Sequence, residues 1–537
     1  MRVRHDRIGS NPNVPQRTFC ARSTCDAGAE ATVPDANRSP VRSLRYAAIL
    51  AFAFAAMPAT GSNACAAGAF APVMLAGAAK ADITPSSHGF DGLWLAGFDS
   101  RTSPALGVGA PLYVRAVAMR TPAATYVFAS LDVLTIPRSA RDAVLARIAS
   151  LHLDPANVML QATHTHSGPV FGDSPNAFIM YDLSAAGEAA SARYTQWLEA
   201  TTAATIARAV GAAVTPVTAQ YGVTHLPPGQ EFAVNRRVAA APERAVDAGI
   251  SGTGPTDVPV LALRSQTGLL AVLFGYAAHA LIVAGTGAGD VLQPDPLYYA
   301  YHPDFPGVAE GVLESDIPGA TALYVTGASG DLNPNPDVMN GSQPALLPGT
   351  HLARAVEAAL PSLLPVGPLV GAATGGASVP LDRYDVPYFQ RAERRNDPWG
   401  RDAEVVLAEL AGGTLPGAAP LYFSVWHFAP GPARSTPLFL IAMSGEPLVH
   451  WSLAFKRGAL GVPGSTWLAG YVNDACCYVP SDSTVIYPGY ETGWRDEPDT
   501  QFGWVVSGSM LYYAWSSRLR PGSIDETVLP AIRALVR

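Results

Sequence analysis

The sequence is poor in charge and holds few long apolar runs. Asp, Glu, Lys and Arg make up only 15% of its 537 residues, and the formal net charge is −8. No run of Lys or Arg stands out beyond the N-terminal residues, which excludes the basic surface of a nucleic-acid-binding protein. The apolar run at residues 46–57 is too short to span a bilayer as a stable anchor. At most a peripheral membrane contact is therefore expected.

The N-terminal region has the layout of an export signal. Residues 1–40 show no hydrophobic period and are predicted to be disordered or untranslated. Residues 41–67 then carry two arginines, the apolar run and small residues, which is the order of a secretory signal peptide. A core helix is the weaker interpretation, because nothing amphipathic follows the run. We expect translation to start near Val41, cleavage around residues 64–67, and a secreted or periplasmic mature protein.

Cysteine is scarce as well, since the chain has five and three of them would leave with the leader. The mature chain would keep only Cys476 and Cys477. Two cysteines make no disulfide framework, so the hydrophobic core must hold the exported protein together. A disulfide between adjacent residues would be strained, and two reduced or buried thiols are predicted instead.

The mature sequence predicts an α/β fold with mixed β-sheets flanked by helices. Apolar, β-branched segments alternate with alanine-rich segments of helical period, and no repeat or long linker divides them. Residues 73–537 are therefore predicted to form a single large catalytic domain whose functional loops lie at strand ends. The predicted strands are ATYVFASLDVL, NVMLQA, LLAVLFGYAAHAL, ATALYVTGA, LYFSVWHF and LFLIAMSG. The predicted helices are SARDAVLARIASLHL, ARYTQWLEATTAATIARAV, HLARAVEAALPSLL and EPLVHWSLAFKRGA.

Two of only eleven histidines stand two residues apart in VMLQATHTHSGPV. If residues 158–162 form a buried strand, residues two apart point to the same face, so His164 and His166 emerge together at its end. Such a pair is typical of a metal or catalytic site. It is equally typical of two hydrogen-bonded histidines that cap a strand, and the pair alone leaves both interpretations open.

Polar residues at other predicted strand ends add to this pair. His279 ends the strand LLAVLFGYAAHAL, and Glu446 ends LFLIAMSG where a helix would begin. GYVNDACCYVP supplies Tyr478, and TVIYPGYETGW supplies Tyr490 and Glu491. Each residue taken alone is more typical of a cap or a surface group.

Taken together, these motifs resemble the neutral/alkaline ceramidase family over essentially residues 80–537. The motifs occur in the order KADITP, PLYVRA, ATHTHSGP, NRR, the His279 strand, PDFPG, GDLNPN, SGEP and GYVNDACCYVP…GYETG, and ATHTHSGP is highly specific. The resemblance implies one zinc ion per chain, which neutral imidazole, carboxylate and phenolate groups can hold with a position left open for water or substrate. The implied zinc ligands are His164, His279, Glu446 and Tyr478.

The resemblance also implies roles for residues beside the metal. His166 would not bind zinc but would polarise the substrate carbonyl or pass a proton to the leaving amine. Arg236 and Tyr490 would stabilise the developing oxyanion.

The sequence departs from the family at Asn333, where GDLNPN replaces the serine of G-[ND]-[LV]-S-P-N. Asparagine cannot act as an acyl-accepting nucleophile, so a covalent route through this position is closed. Zinc can still generate hydroxide near neutral pH, and Asn333 would orient that water or donate to the oxyanion. Nearby Ser329 is out of register and is interpreted as a small loop residue.

Two further departures concern the substrate. The chain ends about fifty residues after Tyr490, which leaves no room for the C-terminal immunoglobulin-like domain of ceramidases. The segment after His279 is longer than the family's and carries Tyr298, Tyr299 and Tyr301. Because pocket entrances decide which acyl chain and which amine can enter, the substrate is left open by both changes.

The sequence therefore predicts an exported zinc-dependent hydrolase of ceramide-like N-acyl amides, with zinc-bound water attacking the carbonyl. The expected partner is a small-molecule or lipid amide substrate. A zinc hydrolase of a different amide or ester is one alternative, and a catalytically silent binding protein is another.

Overall fold

The computed structural model describes residues 74–98, 101–172, 183–240, 256–285, 296–335, 338, 344–392, 398–513 and 515–537. These residues all belong to one compact unit of the chain. The predicted segments 1–40 and 41–67 lie outside the described residues, so the export signal stays a prediction. Across the described ranges no helix is both long enough and apolar enough to cross a membrane.

The largest sheet is mixed and has nine strands. With strands numbered in chain order, they are β1 Met74–Asp82, β3 Tyr113–Arg120, β4 Thr125–Leu131, β5 Val158–Ala162, β6 Thr215–His225, β8 Asp257–Ser265, β9 Gly268–Tyr276, β11 Thr321–Thr326 and β13 Leu364–Pro365. Their spatial order is β11-β9-β8-β6-β1-β3-β4-β5, and β13 pairs with β6. The β11–β9 and β4–β5 pairs are parallel, and the other pairs are antiparallel.

A second sheet has four strands, in the spatial order β14-β15-β16-β18. They are β14 Leu369–Pro380, β15 Ala418–Phe428, β16 Leu438–Met443 and β18 Ser465–Ala469. Four short ladders complete the strands: β2 Gly107–Val108 with β10 Ala300–Tyr301, β7 Ala233–Asn235 with β12 Leu332–Pro334, β17 Glu446–Pro447 with β19 Tyr478–Val479, and β20 Trp494–Asp496 with β21 Trp504–Val506.

Helices surround the two sheets. The α-helices are α1 Arg138–Arg147, α2 Ala185–Gly211, α3 Arg236–Ala240, α4 Ile282–Gly285, α5 Asp304–Asp316, α6 Leu346–Ala359, α7 Val386–Ala392, α8 Pro398–Gly412, α9 Val449–Lys456, α10 Asp482–Val485, α11 Gly508–Leu511 and α12 Ile524–Leu535. Short 3₁₀ turns lie at Pro85–His88, Ala149–Leu151, Pro155–Asn157, Pro296–Tyr299 and Leu360–Ser362.

The two sheets pack face to face, with helices on the outer face of each. In β16, Leu438, Leu440 and Ala442 pack against the nine-stranded sheet. The alternate residues of β16 pack in a separate core with α9 and α12. Successive side chains of a strand point to opposite faces, so a strand that is apolar throughout can serve two cores. Helices α1 and α2 cover one part of the large sheet, and α5 and α6 cover another.

The predicted α/β class with mixed sheets is confirmed, and each strand and helix predicted above overlaps one in the structure. The main difference lies at His279, because β9 ends at Tyr276 rather than continuing through the histidine. The backbone N–H of His279 bonds instead to the carbonyl of Leu332, 2.8 Å away in another loop. The pair Cys476 and Cys477 is buried with both thiols free, as predicted.

Candidate metal and catalytic centre

The loops that follow β5, β9, β11 and β16 meet in one buried place. Backbone hydrogen bonds join them: the N–H of His166 donates to the Ala280 carbonyl at 2.9 Å, and the N–H of Gly330 donates to the Pro447 carbonyl at 3.0 Å. Loops at strand ends are where a rigid sheet can present polar side chains to a substrate. This cross-bonded set of loops carries every residue that was predicted to bind metal except Tyr478.

His164 and His166 converge as predicted, but the predicted reason is wrong. Strand β5 ends at Ala162, so both histidines lie beyond it and the two-residue period of a strand does not apply. His164 has φ of 63°, in the left-handed region that few non-glycine residues adopt. The two Nε2 atoms nevertheless lie 3.4 Å apart, with the rings at 89° to each other. A turn, and not the strand, aims the two side chains.

The four predicted zinc ligands lie together at ligand spacing. Glu446 Oε2 is 3.4 Å from Nε2 of His164 and 3.3 Å from Nε2 of His279. The Tyr478 hydroxyl is 3.5 Å from the same His279 nitrogen. Ligand atoms about 2.0–2.1 Å from a tetrahedral zinc ion are separated by about 3.3–3.4 Å. The side chains present therefore fit four ligands of one metal ion, and water or substrate would take a further position.

Glu446 and Tyr478 meet because β17 and β19 are parallel neighbours. In this two-residue ladder the register pairs Glu446 directly with Tyr478. Gly445, with φ of 71°, makes the turn from β16 into β17. A Cβ at this position would lie 2.4 Å from the Cys477 carbonyl oxygen, so only glycine fits.

A backbone carbonyl at Nδ1 orients each of the two predicted histidine ligands. Nδ1 of His164 lies 2.8 Å from the Leu134 carbonyl, and Nδ1 of His279 lies 2.7 Å from the Ser329 carbonyl. A carbonyl only accepts, so each Nδ1 carries the hydrogen and each Nε2 keeps a free lone pair toward the centre. Burial lowers the pKa of His279 to about 4, which keeps this imidazole neutral at physiological pH.

His166 differs from the other two histidines. Its ligand nitrogen lies with those of His164 and His279 within a 4.8 Å cluster that could hold a metal ion. Among the described residues, however, its buried Nδ1 has no hydrogen-bond partner that would orient the ring. The ring packs 5.0 Å from that of Phe98, beside Gly97, where a Cβ would approach Nδ1 to 2.5 Å. Burial and the neighbouring histidines lower the pKa of His166 well below its ordinary value.

Arg236 joins several of the predicted residues at the start of α3. Its Nη1 donates to Asn333 Oδ1 at 3.1 Å, and its Nη2 donates to the Tyr478 hydroxyl at 3.3 Å. Nη2 also donates to the Gly330 carbonyl at 2.9 Å, and Nε forms an ion pair with Glu491. The guanidinium is therefore fixed in place and permanently charged.

Asn333 lies in β12, opposite Val234 of β7. An arginine has only donors, so the atom of Asn333 that faces Arg236 must be the amide oxygen. The amide NH2 is consequently directed away from Arg236 and is left as the donor of this side chain. A serine at this position would place one hydroxyl where the chain has a fixed amide.

Tyr490 lies at the rim of the centre. Its ring is 5.5 Å from the ring of Tyr478 and 5.6 Å from the guanidinium carbon of Arg236, and 42% of the residue is exposed. Among the described residues, Tyr490 is one of the few large apolar or aromatic side chains that are exposed to solvent. Its position suits contact with a substrate that enters from solvent.

Sequence reasoning gave no role to three residues that support the centre. Asp331 accepts from Asn235 Nδ2 at 2.8 Å and from the Val449 N–H at 2.9 Å, so it ties β7 and α9 to the loop after β11. Tyr471 and Tyr513 both bond to the carboxylate of Glu446. Asp331 and Tyr471 stand inside the motifs GDLNPN and GYVNDACCYVP, which was the available signal. Nothing in the sequence around Tyr513 marks it.

Residues 74–229 match the family model described as neutral/alkaline non-lysosomal ceramidase, N-terminal. The neutral ceramidase from Pseudomonas aeruginosa has a similar structure, with a TM-score of 0.61 and 19% identity over 86% of this chain and 75% of that chain. A ceramidase complexed with C2 gives 0.60 and 19% over 83% of this chain and 74% of that chain. No curated protein matches.

At 19% identity the structural likeness shows a shared fold. The family model adds a sequence match over residues 74–229, which contain the motifs KADITP, PLYVRA and ATHTHSGP. The resemblance predicted from the order of motifs is thereby confirmed: residues 74–229 match the ceramidase family model, and the chain shares its fold with solved ceramidase structures.

Proposed function

We propose that this protein is a zinc-dependent hydrolase of ceramide-like N-acyl amides. The observation that carries the proposal is the convergence of two oriented imidazoles, a carboxylate and a phenol at distances of 3.3–3.5 Å beside a fixed arginine. The family match and the fold support ceramide hydrolysis as the general activity. The metal, its number and the substrate are the finer parts of the proposal.

One zinc ion would be held by His164, His279, Glu446 and Tyr478. The bound ion would act as a Lewis acid that polarises the amide carbonyl and lowers the pKa of water. Without a metal, burial and then Glu446 raise the pKa of Tyr478 well above its ordinary value. Its hydroxyl therefore needs the charge of a bound dication to bind as phenolate.

Arg236 and Asn333 would stabilise the oxyanion that forms when water adds to the carbonyl carbon. The Arg236 guanidinium is held by Glu491 and the Gly330 carbonyl, so it need not move as negative charge develops. The amide NH2 of Asn333 supplies a second donor. Donors fixed before the reaction stabilise such charge most effectively.

His166 would act as the general base and then as the general acid. Its low pKa keeps it neutral, so it can accept a proton from the attacking water and pass it to the leaving nitrogen. The carbon–nitrogen bond then breaks, and the products are a carboxylic acid and an amine. One water is consumed, and no covalent enzyme intermediate is required.

A different amide or ester is the second candidate substrate, and the segment around Tyr298 favours considering it. The Tyr298 ring packs 5.9 Å from that of Phe98, which in turn packs 5.0 Å from His166. The segment that was predicted to be longer than its counterpart in the family therefore borders the proposed catalytic histidine. A catalytically silent binding protein is the remaining alternative, and the complete set of ligands argues against it.

A substrate screen tests the proposal. Purified protein is incubated with N-acyl sphingosines, simpler N-acyl amines and esters, with and without a chelator, and released acid and amine are quantified. We expect chelator-sensitive release from N-acyl sphingosines. Release from simple amides or esters alone would support the second candidate, a hydrolase of a different amide or ester. Zinc-replete protein that hydrolyses none of the compounds would support the silent binding protein.

No acyl-enzyme should accumulate during turnover, because Asn333 replaces the family's serine and Ser329 Oγ donates to the Tyr471 hydroxyl at 2.9 Å inside the core. Asn333→Ala should retain the metal and lower kcat by about 10²–10³-fold, the usual effect of losing one oxyanion donor. Mass spectrometry of enzyme quenched during turnover provides the check. An acyl adduct on Ser329 or any other side chain would overturn the water mechanism.

Export remains part of the proposal, supported by the order of basic, apolar and small residues in 41–67. N-terminal sequencing of protein recovered outside the cytoplasm should begin between about residues 64 and 75. Recovery of the intact leader on cytosolic protein would contradict it.

A further inference from the structure

The carboxylate of Glu446 is held by two tyrosine hydroxyls. The Tyr513 hydroxyl donates to Oε1 at 2.6 Å, and the Tyr471 hydroxyl donates to Oε2 at 3.3 Å. An ionised carboxylate can only accept hydrogen bonds, so the direction of both is fixed. The Tyr513 distance lies in the range of strong, charge-assisted O–H···O⁻ bonds.

We propose that Tyr513, assisted by Tyr471, is a positioning residue for the metal centre and sets which oxygen of Glu446 faces the metal. The inference rests on the proposed zinc site. It assigns to Tyr513 no contact with substrate or metal and no proton transfer. Its effect is on the affinity and geometry of the metal site.

The two oxygens of Glu446 have different surroundings. Oε2 lies 3.3 Å from His279 Nε2 and 3.4 Å from His164 Nε2, so it is the oxygen placed among the other ligand atoms. Oε1 is capped by Tyr513. A free carboxylate can rotate about its terminal carbon–carbon bond and exchange its oxygens, and a strong bond to one oxygen opposes this rotation. The hydrogen bond from Tyr513 therefore favours binding through Oε2 alone.

Tyr513 also supports a second ligand. Its ring lies 6.5 Å from that of Tyr478, at an angle of 72°. The Tyr513 N–H donates to the Met510 carbonyl at 3.1 Å, which fixes the residue at the end of α11. A phenylalanine at position 513 would keep the ring contact with Tyr478 and lose only the bond to Glu446. The substitution Tyr513→Phe thus isolates the hydroxyl.

Tyr471 acts on the opposite oxygen and on a histidine. Its ring packs 4.2 Å from that of His164, and its hydroxyl accepts from Ser329 Oγ at 2.9 Å while donating to Glu446. Tyr471 has φ of 58°, in the left-handed region. An unfavourable backbone conformation in a non-glycine residue persists only where the surroundings enforce it, and it is commonest at functional sites.

Zinc affinity tests the inference. Protein stripped with a chelator is titrated with zinc against a chromophoric competitor, and the melting temperature of the metal-free form is recorded. Tyr513→Phe should bind zinc about 10–100-fold more weakly than wild type, which is the usual effect of removing a partner of a metal ligand. The visible spectrum of the cobalt(II) form should change in parallel, because the carboxylate oxygens are no longer distinguished.

Tyr194→Phe is the matched control. The Tyr194 hydroxyl is buried and donates at 2.6 Å to the carbonyl of Ile83, so the substitution removes an equally short hydrogen bond that involves no metal ligand. It should lower the metal-free melting temperature about as much as Tyr513→Phe does. Its zinc affinity and its cobalt spectrum should equal those of wild type.

The outcomes separate this inference from the proposed function. Wild-type zinc affinity in Tyr513→Phe, with binding abolished in His164→Ala, would overturn the positioning role and leave the zinc hydrolase standing. Wild-type protein that binds no zinc would instead overturn the proposed function. If Tyr513→Phe does not fold, the zinc affinity of Tyr471→Phe tests the assisting hydroxyl on Oε2, and unchanged zinc affinity in that variant would overturn the inference that two tyrosines position Glu446.

Discussion

Replacement of His279 by alanine is expected to abolish metal binding and to lower activity by about a thousandfold or more. The bound ion would supply several kcal/mol of transition-state stabilisation, and each 1.36 kcal/mol corresponds to about tenfold in rate. His279 is fully buried, and its Nε2 lies next to both Glu446 and Tyr478, so its loss removes a central member of the proposed ligand set. The measurement is the zinc content of the purified protein, determined by inductively coupled plasma mass spectrometry.

Controls for His279→Ala must distinguish loss of the metal from unfolding of the protein. Deleting the imidazole leaves the Ser329 carbonyl without the donor at 2.7 Å, which costs about 1–3 kcal/mol of stability. Circular dichroism therefore accompanies the metal analysis. His225→Ala, which removes a side chain that is 60% exposed, should keep wild-type metal and activity. Full zinc occupancy in folded His279→Ala would show that the ligand assignment is wrong.

His166→Ala is expected to keep about one zinc per chain and to lose rate by about a hundredfold or more, as removal of a general acid or base does. The test is needed because His166 lies in the same 4.8 Å cluster as His164 and His279. The two proposed ligands have carbonyls behind Nδ1, whereas the Nδ1 of His166 has no partner among the described residues. That difference is the structural basis for assigning His166 to proton transfer.

Zinc content and steady-state kinetics of His166→Ala distinguish the two roles. A metal ligand would lose zinc as His279→Ala does. A proton-transfer group would keep zinc and show an altered dependence of kcat/KM on pH. Loss of metal equal to that of His279→Ala would place His166 among the ligands.

Much of the fold was predictable because the core strands are apolar on both faces. LFLIAM is recognisable as a strand because all six of its residues are apolar. In the structure all six are buried, and they are shared between two cores. Histidine and glutamate at the ends of such segments were visible as candidates, although each residue taken alone is more typical of a cap or a surface group. The resemblance to ceramidases depended on the order of these short motifs and not on any one of them.

The sequence by itself determined the class of fold and the identity of the residues that converge. Only the tertiary structure decided how they converge. The pair His164 and His166 is aimed by a left-handed turn after β5, and Glu446 meets Tyr478 through a two-residue parallel ladder. The physical reason is that short-range periodicity reports which face of a strand a side chain occupies, whereas ligand geometry depends on hydrogen bonds between loops that are distant in sequence. Tyr513, 67 residues from the carboxylate that it holds, was beyond any local pattern.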